Sequence, residues 1–220
     1  MNASIFEPSE IDSIKLKNRI IRSATHEGLA DEEGYPTDLL LRKYEALAKN
    51  NVGCIITGYA GVMKNGKGNY RNMLMIDDDS YISHYKQITE KIHEYQTPII
   101  LQIAHCGRQT RSKITGYPTV APSPIKDQFF TEDIPVELSE SEIEEIINNF
   151  VQGIVRAKNA GFDGVQLHLA HGYLLSQFLS SHTNRRTDKW AVQQKTNSEL
   201  SAKYSSGLNN LWATTLFWLN

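Results

Sequence analysis

The chain has 220 residues, 40% apolar and 22% charged, which suits one large buried core and excludes a disordered or fibrous protein. A net charge of −2 and a pI near 6.4 give no basic field for a phosphate backbone, and no zinc-finger or RNA-binding signature is present, so no nucleic-acid partner is expected. The segment Met1 to Ser13 lacks an apolar core of signal-peptide length, and no stretch approaches a membrane span. Cys54 and Cys106 are too few for a disulfide framework, so we expect a cytoplasmic protein with free thiols and no membrane partner.

A polar entry segment precedes a first strand predicted over Asn18 to Ala24. Thr37 then caps a helix from Asp38 to Lys49 whose Leu40, Leu41, Tyr44 and Leu47 share one face. Gly53 to Thr57 reads as a second strand, Gly58 to Asn72 as a glycine-rich loop, Ser80 to Tyr95 as an amphipathic helix, and Pro98 to Ala104 as a third strand. A long proline-bearing loop leads to Ser139, which forms a capping box with Glu142 for a helix to Ala160; a fourth strand then ends at His168. Its basic stretches, Arg108 to Lys113 and Arg185 to Lys189, read as solvated surface or as neighbours of an anionic cofactor.

Strands and helices alternate with connections long enough for parallel crossovers, so the fold class is α/β with a parallel sheet covered by helices. Polar groups stand at the carboxyl end of each predicted strand: Ser23 to Thr25, Gly58 and Tyr59, Gln102 and His105, then His168 and His171. Convergence of that kind favours a TIM barrel over a doubly wound sheet, and no Gly-x-Gly-x-x-Gly or P-loop follows any predicted strand.

The densest chemistry lies in His168-Leu169-Ala170-His171-Gly172-Tyr173, where a strand turns into a helix. Two imidazoles three residues apart can direct ring N–H groups at one carbonyl oxygen, and a neighbouring protonated phenol can act as a general acid toward carbon. The bland alternative has His168 capping the strand, His171 bonding a carbonyl and Tyr173 packing with Leu174 and Phe178. A metal would need a third ligand, for which His105 and His182 are the candidates. Gln102 has an amide suited to a flat polar heterocycle, or to a satisfied place in the core.

Leu16-Lys17-Asn18-Arg19-Ile20, Gln102-Ile103-Ala104-His105-Cys106-Gly107-Arg108, Ala121-Pro122-Ser123, Ala160 to Val165 and the run His168 to Asp188 together resemble the old yellow enzyme family of FMN-dependent oxidoreductases, in order from Phe6 to Trp190. The resemblance implies FMN across a barrel mouth, NADH or NADPH as reductant, and a small-molecule enone or enoate substrate whose C=C bond is reduced. By position, His168 and His171 would hold the carbonyl oxygen and Tyr173 would protonate the α-carbon. Ser23, Ala24, Thr25, Gly58, Tyr59 and Gln102 would contact the flavin. Ala24 and His26 stand where some relatives have Pro and Cys, and Tyr59 replaces a usually small residue, so flavin tuning does not carry over.

The resemblance also implies a barrel of eight strands, of which this chain supplies the first four β/α units over residues 1–190. Residues 191–220 depart from the relatives' pattern, and back-translated with a one-base shift they recover much of it. A frameshifted tail, open sheet edges on the first and fourth strands, and self-association through those edges are therefore expected, as is impaired activity. A noncatalytic fragment or interaction module that binds no flavin is the competing expectation.

Overall fold

A computed structural model describes residues 4–11, 14–129, 131–192 and 216–218. The chain enters through a hairpin, β1 (Ser9–Ile11) and β2 (Ile14–Leu16), where the sequence predicts only a polar segment. Then come β3 (Ile21–Arg22), α1 (Asp38–Lys49), β4 (Cys54–Ile56), β5 (Ala60–Gly61), a single 3-10 turn at Lys64–Gly66, β6 (Leu74–Met75) and α2 (Tyr81–His93). The second half holds β7 (Ile99–Ala104), α3 (Ser112–Thr115), β8 (Val120–Ala121), β9 (Val136–Glu137), α4 (Glu140–Asn159), β10 (Gly164–Leu167), α5 (Leu174–Leu179) and β11 (Leu216–Trp218).

Strands β3, β4, β7 and β10 lie side by side in chain order and all run parallel, making a curled half-barrel sheet with α1, α2 and α4 outside it. The helices form where the sequence places them. Thr37 Oγ1 accepts from Leu40 N at 3.5 Å, and Leu40, Tyr44 and Ala48 recur every fourth residue to bury one face of α1. At α4, Ser139 Oγ accepts from Glu142 N at 3.3 Å while Glu142 Oε2 accepts from Ser139 N at 2.8 Å, a complete capping box.

Period-two alternation divides the strands between two environments. Ile55, Ile99, Leu101, Ile103, Val165 and Leu167 join the main core beneath the helices. Cys54 and Ile100 face the concave side, where Ile14 and Leu16 of the entry hairpin pack on them as a floor. Gln102 follows Ile100 on that side, and its neighbour across the ladder is Gln166.

The second strand is interrupted at its carboxyl end. Ile56 lies opposite Ile100 and Ala60 opposite Ile103, so four steps along one chain match three along the other, the signature of a β-bulge. Thr57 Oγ1 repairs part of the gap by accepting from Gln102 N at 3.2 Å. The inserted residue inverts the alternation. Odd-numbered Ile55 joins the outer core before the bulge, whereas even-numbered Ala60 and Val62 join it afterwards.

The expectation of two open edges needs correction at one of them. Leu216–Trp218 pairs antiparallel with β10, Trp218 opposite Gly164 and Leu216 opposite Gln166, so this part of the tail covers the fourth-strand edge. Its direction is opposite to what a fifth β/α unit would supply. Beyond its pairing with β4, β3 has no further strand neighbour among the described residues. The rest of the divergent tail, residues 193–215 and 219–220, lies outside the described residues.

Candidate active site

The last strand delivers His168 to the mouth. Glycines punctuate its approach: Gly161, at φ +83, lets α4 end in a left-handed turn, with Phe162 N donating back to Ala157 O at 3.1 Å. His168 N donates to Ile103 O at 3.0 Å, so the strand ladder holds the residue to its end. The ring is buried, and burial together with the neighbouring His171 pushes its pKa down to about 4, so the imidazole is neutral at pH 7. His168 Nδ1 accepts from Ala170 N at 3.2 Å, which leaves the ring proton on Nε2.

That proton points at its partner. His171 Nδ1 lies 3.1 Å from His168 Nε2, so the two imidazoles hydrogen-bond to each other. The sequence predicts both rings directed at one external oxygen; the structure brings them together but uses one N–H of the pair internally. His171 is exposed and sits at φ +58, next to Gly172 at φ +71, so its side chain stands on a turn at the rim.

Tyr173 occupies the N-cap position of α5, backbone extended, and its ring turns inward instead of packing along the helix. It packs against a small cluster of Tyr59, Met73, Ala104 and Cys106, and its hydroxyl donates to the Tyr59 hydroxyl at 3.0 Å. Burial, the adjacent Cys106 and the hydrogen bond to Tyr59 hold the phenol well above its ordinary pKa, so it is fully protonated at neutral pH. His168 and Tyr173 ring centroids are 4.8 Å apart, and Tyr59 completes a triangle at 5.6 Å from His168 and 5.4 Å from Tyr173.

The bulge explains why Tyr59 is there. In an unbroken strand an odd-numbered residue would share the face of Ile55 and lie under the helices; the inserted residue sends Tyr59 to the concave mouth. Gly58 is held by its surroundings: its N–H donates to Tyr44 Oη at 3.2 Å, and a Cβ there would come within 2.1 Å of Glu27 Oε2 and 2.7 Å of Thr25 O. The residue therefore has to be glycine for reasons internal to the fold. That close approach also brings the segment Ser23, Ala24 and Thr25, which follows β3, against the end of the second strand. Ser23 and Thr25 are exposed, Ala24 is half-buried, and Thr25 Oγ1 donates to Ser23 O at 3.2 Å. His26 stacks on Tyr59 at 5.2 Å and meets Tyr70 at 4.6 Å.

Gln102 and His171 open on the same side of the sheet. Gln102 Nε2 donates to Gln166 Oε1 at 2.7 Å, and Gln166 shares its strand face with His168, two residues on. Gln102 Oε1 takes no partner among the described residues, so an acceptor remains for a polar heterocycle, and the donor and acceptor chemistry of this amide pair fits one edge of a flavin ring. Gln166 is a site residue that the sequence reading misses; the signal for it is its place two before His168 in a period-two strand.

Several other expectations change. Arg108 is buried, and its Nη1 donates to Ile125 O at 2.8 Å with Asp127 3.6 Å from its Nε, while the Arg186 side chain is 6% exposed and bonds Asp188 through two nitrogens. Both fasten loops, so neither basic stretch is wholly solvated surface. His105 is also fully engaged: Nε2 pairs with Asn65 Oδ1 at 3.2 Å, Nδ1 accepts from Gly107 N at 3.1 Å, and burial pushes its pKa down to about 3. Its carbonyl accepts from Leu174 N at 2.9 Å, which fixes the first turn of α5 beside Tyr173. Cys106 keeps the free thiol expected of it, wholly buried and pushed up to about 12 by burial.

Comparison with known proteins agrees with the fold. Residues 4–196 match the model of the NADH:flavin oxidoreductase / NADH oxidase family, six residues beyond Trp190, where the resemblance described above ends. An NADH oxidase of Thermoanaerobacter brockii is 42% identical over 188 residues, and a metal reductase of Desulforamulus reducens is 38% identical over 204. These alignments take in 85% and 93% of this chain but 29% of each relative, so the chain spans under a third of the curated relatives it matches. Among solved structures, an old yellow enzyme homologue from Zymomonas mobilis superposes with a TM-score of 0.78 at 29% identity, covering 86% of this chain and 55% of that one. Morphinone reductase superposes with a TM-score of 0.81 at 28% identity, covering 87% and 54%.

Proposed function

The chain belongs to the NADH:flavin oxidoreductase / NADH oxidase family, and from that premise we propose that it supplies the proton-handling half of an FMN-dependent oxidoreductase that uses NAD(P)H to reduce the C=C bond of α,β-unsaturated carbonyls. The observation that carries the reading is the meeting of His168, His171 and Tyr173 with the Gln102–Gln166 amide pair on one concave face. FMN, when bound, supplies the hydride for the β-carbon. In this reading Gln102 holds the pyrimidine edge of the flavin, and Ser23, Ala24, Thr25, Gly58 and Tyr59 line its path from the first two strands.

The remaining chemistry belongs to side chains. His171 turns from His168 toward the substrate, which frees His168 Nε2–H, so that two neutral imidazoles donate to the carbonyl oxygen as negative charge gathers there. His168 suits that task because it carries no proton to lose at neutral pH beyond its Nε2–H. Tyr173, protonated, gives its hydroxyl proton to the α-carbon. The small enone or enoate enters from the rim, where His171 is exposed.

Purified protein mixed with FMN, then with NAD(P)H and 2-cyclohexenone, tests the reading. Retention of a flavin absorbance band and enone-dependent NAD(P)H consumption, abolished in His168→Ala, is the expected result. Colourless protein that takes up no FMN would instead support a noncatalytic module.

A further inference from the structure

We propose that Tyr59 is a positioning and proton-sharing partner of Tyr173, whose hydroxyl receives the Tyr173 hydrogen bond at rest and returns one to the Tyr173 oxygen once that group has given up its proton. The inference rests on the reading of Tyr173 as the acid. It starts from a placement that core packing does not require: the bulge between Ile56 and Ala60 is what turns this side chain to the mouth. The Tyr59 residue is only 7% exposed, its ring is pinned by His26 on one side and by the His168 and Tyr173 edges on the other, and its hydroxyl is 3.0 Å from the Tyr173 hydroxyl.

A buried phenol that loses a proton leaves an anion needing a donor. The titratable groups that face the pair are His26 after β3, Tyr70 after β5, Cys106 after β7, and His168 and His171 after β10. His168 is held neutral, the Cys106 thiol stays protonated, desolvation lowers the His26 pKa, and His171 is engaged with His168. Of the two protonated groups bonded to the Tyr173 oxygen, the Cys106 thiol is a weak donor, so the Tyr59 O–H is the group placed to meet the new charge. As the Tyr173 O–H bond breaks and the C–H bond forms at the α-carbon, the electron pair remains on the Tyr173 oxygen and Tyr59 rotates its O–H toward it. Transfer of that second proton restores Tyr173, and water reprotonates Tyr59.

The test replaces Tyr59 by 3,5-difluorotyrosine, a more acidic phenol whose 19F shift reports its own ionisation in the flavin-free full chain. With Tyr173 present, its hydroxyl stabilises the phenolate at position 59; adding Tyr173→Phe should raise the midpoint by about one to two pH units, the worth of a hydrogen bond to a charged group. In the reciprocal pair, difluorotyrosine at position 173 with Tyr59→Phe, a midpoint that rises upholds the returned bond, whereas one that falls, because only the resting bond that raises the Tyr173 pKa is lost, overturns it; this pair serves if either first variant fails to fold. In the FMN-loaded protein, Tyr59→Phe should slow flavin reoxidation by an enone about 10- to 100-fold relative to its reduction by NAD(P)H. Unmoved 19F midpoints in both pairs overturn the proposal. A clear 19F shift in protein that reduces no enone upholds the shared proton and overturns the enone reading instead.

Discussion

Removing the Glu27 carboxylate should cost more stability than any other single polar change near the mouth. Glu27 receives Arg22 Nη2 and also the Tyr44 hydroxyl at 3.0 Å, and Tyr44 in turn takes Gly58 N–H at 3.2 Å. The ion pair is almost dry, with the Arg22 side chain 13% exposed and that of Glu27 2%. Glu27→Ala would strand the guanidinium without its counter-charge and open a hole beneath Gly58. Breaking a buried pair from one side costs about 3–5 kcal/mol. At roughly 2–4 °C per kcal/mol for a chain of this size, the unfolding midpoint should fall by about 6–20 °C. Circular dichroism at neutral pH measures both, the free energy by urea titration and the midpoint by thermal melting. The double variant Arg22→Met/Glu27→Leu should recover most of the loss, since a pair replaced by apolar groups leaves no orphaned charge. If Glu27→Ala stays within about 1 kcal/mol of the parent, the carboxylate is not the anchor the geometry makes it.

Gly107 sits at φ +59, and a Cβ there would lie 2.5 Å from Gln177 Oε1, so Gly107→Ala should destabilise by about 2 kcal/mol in the same titration, against no change for Gly116→Ala beyond its own left-handed strain. A pH effect is expected at the back of the sheet, where His93 Nε2 pairs with Asp163 Oδ2 at 2.9 Å and the same oxygen accepts from Ile99 N at 2.8 Å. The hydrogen bond to Asp163 raises the His93 pKa, so the pair's contribution is complete below the ordinary histidine value near 6.5 and disappears as pH rises through the higher folded value. Because the His93 side chain is 39% exposed, the slope should be shallow; it should be absent in Asp163→Asn, and a slope of opposite sign in the parent protein would contradict the pairing.

The parts of the fold legible in the sequence are those set by local rules. Thr37 and the Ser139–Glu142 box announce α1 and α4 because a cap is a contact within one turn, and the apolar run before His168 announces β10 because it is buried on one side by helices and ends at a glycine-bounded turn. The entry hairpin escapes notice because each of its strands is three residues long, too short for alternation to register, and only its packing on Cys54 and Ile100 gives it meaning. The first strand shrinks from a predicted seven residues to Ile21–Arg22, since beyond Arg22 the backbone leaves the ladder and Thr25 O accepts from the Arg22 guanidinium and lies against Gly58. At the site, His168, His171, Tyr173 and Gln102 come together as their motifs suggest. The mutual bond of the imidazoles and the tyrosine pair are tertiary facts: the latter joins residues 114 positions apart. Arg108 and Arg186 mislead for the same reason, because a buried guanidinium that ties carbonyls together reads in sequence like any surface charge.

The extra residue between Ile56 and Ala60 separates two histories that a regular strand would have to share. Upstream, each side chain is tied to the helices or the floor; downstream, a different parity governs which groups see the cavity. Gaining or losing one codon there would exchange the groups lining that stretch of the rim and at the same time turn Ala60 and Val62 out of the core beneath the helices. Such a hinge of register ties the chemistry of the rim to the packing beneath it, whereas point substitutions elsewhere around the opening can be tried one wall at a time.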